Sequence, residues 1–189
     1  MRVKDATYSI YFGLKRLPWH PSYLAAMWIL GGELRSLYAD WIGAEEVPLL
    51  ETTMDLIREV VIAGESWSAV DRAEELADAW APVLARYERS SASGGLLNAL
   101  GTCEALAQEI ARVSGHYDAG NWVTNAAKDR WDDWDRPGPT LVDPNEEVDD
   151  SSPKAQTLAS FARVVSTVTT WTEPDWDPVR IRAQIFGQP

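Results

Sequence analysis

Apolar residues along most of this chain recur every three to four positions, the period of helices with one face on a core. The clearest stretch runs from Leu96 to Val113. Its large apolar residues fall at Leu97, Leu100, Leu106, Ile110 and Val113, with Cys103 between them. Small residues, among them Ala99, Gly101, Ala105, Ala107 and Ala111, fill much of the rest. A helix that is apolar or small on nearly every side belongs in the middle of a bundle. The segment 96–114 is therefore expected to be the central helix, ended by Gly115.

The same reasoning divides the preceding chain. Asp5 or Thr7 is expected to start a first helix with Tyr8, Tyr11, Phe12 and Leu14, which Leu17-Pro-Trp-His-Pro21 breaks. Pro21 suits the first position of a second helix carrying Leu24 to Trp41 and ending at Gly43. Gly31-Gly32 in its middle marks a kink, a break or a close crossing. Pro48 opens a third helix and Gly64 stops it. Ser68-Ala-Val-Asp71 resembles a weak N-terminal cap for a fourth, which Pro82 is expected to kink or divide.

After the central helix, Asp118 caps a sixth helix with Trp122, Val123, Ala126, Ala127 and Trp131. Residues 135–152 hold three prolines and an acidic run, which predicts a loop of the composition seen in disordered segments. Ser152-Pro153 opens the last long helix, although the β-branched run Val164–Thr170 leaves a strand as the alternative. The tail, with Val179, Ile181, Ile185 and Phe186, is expected to fold back on the body. The pattern predicts one all-α domain spanning 1–189, a bundle of about seven helices.

Composition narrows the function classes. The formal net charge is -12, from 17 basic and 29 acidic residues. Without a basic stripe a nucleic-acid partner is not expected, whereas a basic protein partner is permitted. The longest apolar run, 23–32, is far short of the ~20 residues of a membrane span. The N-terminus lacks the apolar core of a signal peptide, so a cytoplasmic protein without membrane association is expected. Oligomeric state cannot be read from the pattern. The single cysteine, Cys103, reads as a small buried residue. Ten tryptophans are a surplus that a core or an interface must use.

Catalytic spacings are absent. There is no nucleophile elbow, no phosphate loop and no H-E-x-x-H zinc motif. His20 and His116 sit at helix boundaries, where turn or capping roles suffice. Cys103 and His116 lie thirteen positions apart, ~20 Å along a straight helix, too far for a nucleophile–base pair. Arg112 and His116 resemble the Arg-His pair of HEPN-type ribonucleases, but the spacing is one residue short. No catalytic residue, metal site or cofactor is assigned. Asp129, Asp132 and Asp133 share one helix face, which suits a solvated surface or, in an enzyme of unrecognised type, a divalent cation.

The more suggestive text mixes acid with tryptophan. Trp131-Asp132-Asp133-Trp134-Asp135 and the stretch from Trp171 to Trp176 flank the acidic loop. Aromatic anchors ringed by charge suit a protein interface, or else pin the loop to the bundle.

Further stretches carry a family likeness. They are Leu14-Lys-Arg-Leu17-Pro-Trp19, Glu33-Leu-Arg35 with Tyr38 and Trp41, Asp55-Leu-Ile57 with Glu59, and Leu100-Gly-Thr-Cys-Glu-Ala-Leu106. Across about residues 10–130 the chain resembles the YjaG-like family of bacterial helical proteins. That resemblance implies an all-helical cytoplasmic protein and no particular activity. The expected function is a non-enzymatic, acidic protein-binding module, such as an immunity protein neutralising a basic toxin. The alternatives are the metal-dependent enzyme and a homo-oligomeric structural protein.

Overall fold

The computed structural model describes residues 1–90, 94–131, 146–170 and 177–186. Eight α-helices fall within them: α1 Val3–Arg16, α2 Leu24–Leu37, α3 Val47–Ala63, α4 Trp67–Arg89, α5 Gly94–Ile110, α6 Ala119–Asp129, α7 Pro153–Val168 and α8 Pro178–Phe186. A π-helical turn, Trp19–Tyr23, leads into α2. No strand is present among the described residues; a lone antiparallel bridge joins Arg2 to Glu147. The protein is an all-α bundle.

α5 is the axis, packed against α2, α3, α4 and α6. Its glycines set how near the neighbours come. A Cβ on Gly101 would stand 2.6 Å from the Trp122 ring of α6, and one on Gly95 2.5 Å from the Tyr38 hydroxyl. α1 lies along α7 and α6, and α8 closes over α2 and α7 with Ile181 fully buried. One continuous apolar core runs from Val3 to Ile181.

Several helix ends differ from the sequence expectation, each for a physical reason. α1 begins at Val3 rather than at Asp5 or Thr7, because 146–148 hold its start. The Val3 N–H donates to the Glu146 carbonyl and the Val148 N–H to that of Met1, both at 3.0 Å. α2 runs unbroken through Gly31-Gly32, so the pair marks a close crossing: a Cβ on Gly31 would sit 2.9 Å from the Met54 sulfur. It ends at Leu37, well before Gly43, since Tyr38 turns into the core and donates to the Ala126 carbonyl at 2.7 Å. Ser66, not Ser68, caps α4, accepting from the Ala69 N–H. Pro82 lies on the exposed side of that helix and does not divide it.

α5 stops at Ile110, five residues before Gly115. Arg112 takes the left-handed conformation (φ 61°), the Val113 N–H returns to the Gln108 carbonyl and the Arg112 N–H to that of Glu109. This is the Schellman closure with arginine where glycine is usual. In α7 the β-branched run stays helical because Val164, Val165 and Val168 are all buried against the core. Part of the expected 135–152 loop is anchored: Glu147 pairs with Arg2, Asp150 with the N-terminal amine and Glu146 with Lys154. Residues 132–145 lie outside the described residues.

Substitution of Gly101 by Val is expected to destabilise the protein by about 2–3 kcal/mol, because the Trp122 ring must be displaced. Gly94→Ala, which meets nothing within 4 Å, is expected to stabilise by up to about 1 kcal/mol. Urea denaturation of the pair measures both.

Candidate binding face and its buried support

Three turns meet at one end of the bundle. The α3–α4 turn follows Gly64, which adopts φ 80° and lets α3 stop. Its Glu65 carboxylate accepts from Trp19 Nε1 at 2.7 Å and from Arg112 Nη2 at 2.6 Å. The Trp19 ring in turn stacks on His116, with centroids 4.0 Å apart and planes 2° from parallel. Tyr117 donates to the Leu17 carbonyl at 2.7 Å, and His20 Nε2 to that of Val60 at 2.9 Å. Burial alone would raise Glu65, but its bonds from Trp19 and Arg112 outweigh that and hold it below the usual carboxylate range.

Exposed apolar side chains border this junction. Ile62 and Trp67 flank Glu65 in the chain, and Val113 follows Arg112; Trp67 is 82% exposed. From Trp67, α4 continues with Asp71, Glu74, Glu75 and Asp78 at i, i+3, i+4 and i+7, all exposed. Two pairs of these acids are four residues apart, where like charges repel. None has an ion-pair partner among the described residues, whereas their neighbour Arg72 pairs with Glu59 on α3.

Beneath the junction lies Glu109, fully buried near the end of α5. Its Oε1 accepts from the Ala119 N–H at 2.7 Å and from the Tyr23 hydroxyl at 3.3 Å. It thereby caps α6 from another helix, and Asp118, the expected cap, makes no side-chain capping bond. Among the described residues Oε2 has no hydrogen-bond partner and no basic residue pairs with the group. Burial pushes its pKa up to about 7, opposed by hydrogen bonding from the Ala119 amide, the Tyr23 hydroxyl and the Asp118 backbone, and assisted by the Asp118 charge. Tyr23 is raised as well, by its burial and by Glu109.

The residues singled out from sequence are placed as follows. Trp131 is 38% exposed, yet its Nε1 donates to Thr157 Oγ1 at 3.0 Å and Arg130 stands 4.8 Å above its ring. It is thus both surface and pin. Asp132, Asp133, Trp134, Asp135, Trp171 and Trp176 lie outside the described residues. Asp129 accepts from Asn98 at 2.9 Å and pairs with the buried Lys128 at 2.8 Å, so this carboxylate belongs to the α5–α6 contact. Among the described residues no three His, Cys, Asp or Glu side chains are grouped to hold a metal ion. Cys103 is buried, and that alone raises its thiol to about 12. Arg112 and His116 are engaged with Glu65 and Trp19.

Sequence reasoning passed over the α4 acids and Glu109, although both left a trace. The acids keep helical period on the face opposite Leu76 and Trp80. Glu109 is a carboxylate in a helix otherwise read as apolar or small on nearly every side. No protein-family model, curated protein or solved structure matches this chain.

The raised Glu109 pKa sets a direction for stability. The unfolded chain releases this proton near 4.5 and the folded chain near 7. Between those values the folded state binds more protons, so stability falls as pH rises and levels off above about 7. The loss is up to about 3 kcal/mol at ~1.4 kcal/mol per pKa unit. Glu109→Gln should flatten the stability profile between pH 4.5 and 7 and leave the variant the more stable at pH 8. Chemical denaturation across that range checks it.

Proposed function

We propose that this chain is a non-enzymatic protein-binding module whose partner is a basic protein, in the manner of an immunity protein neutralising a basic toxin. One observation carries the reading: the outer face of α4 joins four exposed acids without ion-pair partners to a tryptophan 82% exposed. Mutual repulsion among those acids is a cost the free protein retains, and a basic surface relieves it. Much of the other negative charge is already matched. Glu45 and Glu46 meet Arg86, Glu51 meets Arg35, and Glu33 meets Arg182. Trp67, with Ile62 and Val113, supplies the apolar contact that charge alone lacks, and large aromatics dominate interface energetics.

The acidic, tryptophan-bearing stretches at 131–135 and 171–176 form a second proposed contact for the same partner. No helix among the described residues is long and apolar enough to cross a membrane. We place the module in the cytoplasm, as the sequence pattern and the YjaG-like resemblance suggest.

The test is affinity capture at low salt with three baits: the wild type, Asp71→Lys/Glu74→Lys/Asp78→Lys, and Asp132→Asn/Asp133→Asn/Asp135→Asn. The wild type is expected to retain a basic protein that elutes as salt rises to about 0.5 M, where screening falls to a few Å. The α4 variant is expected to lose at least tenfold in affinity. Retention that ignores both salt and the α4 charges, or capture of no basic protein, overturns the proposal.

A further inference from the structure

The turn 111–118 supplies Arg112, Val113 and His116 to the junction, and what holds it from below is one buried carboxyl group. Glu109 reaches both ends of this turn: its own carbonyl accepts from the Arg112 N–H, and its side chain accepts from the Ala119 N–H. The turn bears two left-handed residues, Arg112 (φ 61°) and Tyr117 (φ 75°), conformations that cost energy for residues other than glycine. Local contacts must therefore over-determine it. The groups facing the Glu109 carboxyl are Tyr23 from the π-helical turn, Asp118 and Tyr117 from the turn itself, and the first amide of α6. None of them is cationic.

We propose that Glu109 is a proton-operated latch: protonated, it holds the turn 111–118 shut against α6 and the π-helical turn, and ionised, it admits water and releases the turn. In the protonated state Oε1 keeps both donated bonds and the proton sits on Oε2, which leaves a neutral group buried. Loss of that proton to solvent leaves a carboxylate with no counter-charge and one oxygen with no donor, beside Asp118. A buried charge of that kind costs far more than a buried neutral carboxyl. The least expensive relief is hydration from the side of Tyr117 and Asp118, where the cover is a half-buried ring and an exposed residue. Release of the turn disengages Arg112 from Glu65 and His116 from Trp19. Protonation thereby regulates the face proposed above to bind a basic protein. Only that last step rests on the binding proposal; the latch is a property of the isolated chain.

The experiment is done on the full-length protein without any partner. The Glu109 side-chain carboxyl carbon is followed by NMR from pH 4 to 9, together with amide exchange of 111–118. Glu109 is expected to titrate within about a unit of pH 7. Between about pH 4.5 and its midpoint, protection of the 111–118 amides, corrected for intrinsic exchange, is expected to fall by up to tenfold per pH unit and to level off above the midpoint. Glu109→Gln is expected to keep the turn protected throughout. Titration of Glu109 with ordinary carboxylates near 4.5, or its ionisation without loss of protection, overturns the latch. Both readouts come from the wild type, so they decide the matter even where the variant folds poorly. They leave the partner proposal untouched, because no partner is present.

Discussion

The close approach of α5 to its neighbours is the constraint from which the rest of the structure follows. A helix surrounded by α2, α3, α4 and α6 cannot carry large side chains on every side. At Gly95 and Gly101 the space a Cβ would need is taken by the Tyr38 hydroxyl and the Trp122 ring. Backbones that come this near leave little room for water, so the polar groups buried along α5 must find partners within the protein. Thr102 donates to the Asn98 carbonyl and Asn98 to Asp129. Glu109 is the exception, since only one of its oxygens is satisfied.

Aromatic side chains serve this packing in a consistent way. Several span apolar surface and end on a polar partner, which suits rings with an apolar body and one donor. Trp80 reaches Thr53 at 2.9 Å, Tyr38 reaches the Ala126 carbonyl and Trp131 reaches Thr157. Trp41 lies under the Arg130 guanidinium at 3.7 Å. Much of the tryptophan surplus is thereby absorbed by structure. Trp67 stands apart, most of its surface in solvent. An indole left in water at the head of an acidic helix face is more informative than the surplus itself.

The helices were legible where periodicity and small residues act together, as in α5, and where a serine precedes a proline, as at Ser152-Pro153. Their ends were less so, because tertiary contacts decide them. No rule of local sequence announces that Arg112 will take the left-handed closing position ahead of a glycine three residues on. Nor does it announce that residues 146–148 will start α1 from across the chain. The β-branched run of α7 illustrates the same point from the other side: burial of three valines outweighs a modest preference for strand. The candidate face was legible only in pieces. The acids of α4 were written at helical spacing, but Glu65, Trp19, Arg112 and His116 are brought together by three separate turns, and no spacing encodes that.

Electrostatics ties the buried and exposed parts together. Many acids of this chain are matched by a nearby base, and the N-terminal amine itself is spent on Asp150 and the Val148 carbonyl. Against that background the carboxylates of α4 and Glu109, unpaired among the described residues, differ in kind. Those of α4 remain in water, where their mutual repulsion is retained but screened. Glu109 is removed from water, so it can lower its cost only by keeping a proton or by moving the chain above it. The same negative charge thus carries different costs at different depths, small where water screens it and large where burial strips water away. The turn 111–118 is where the two meet, since it covers the buried acid and presents Arg112 and Val113 beside Glu65.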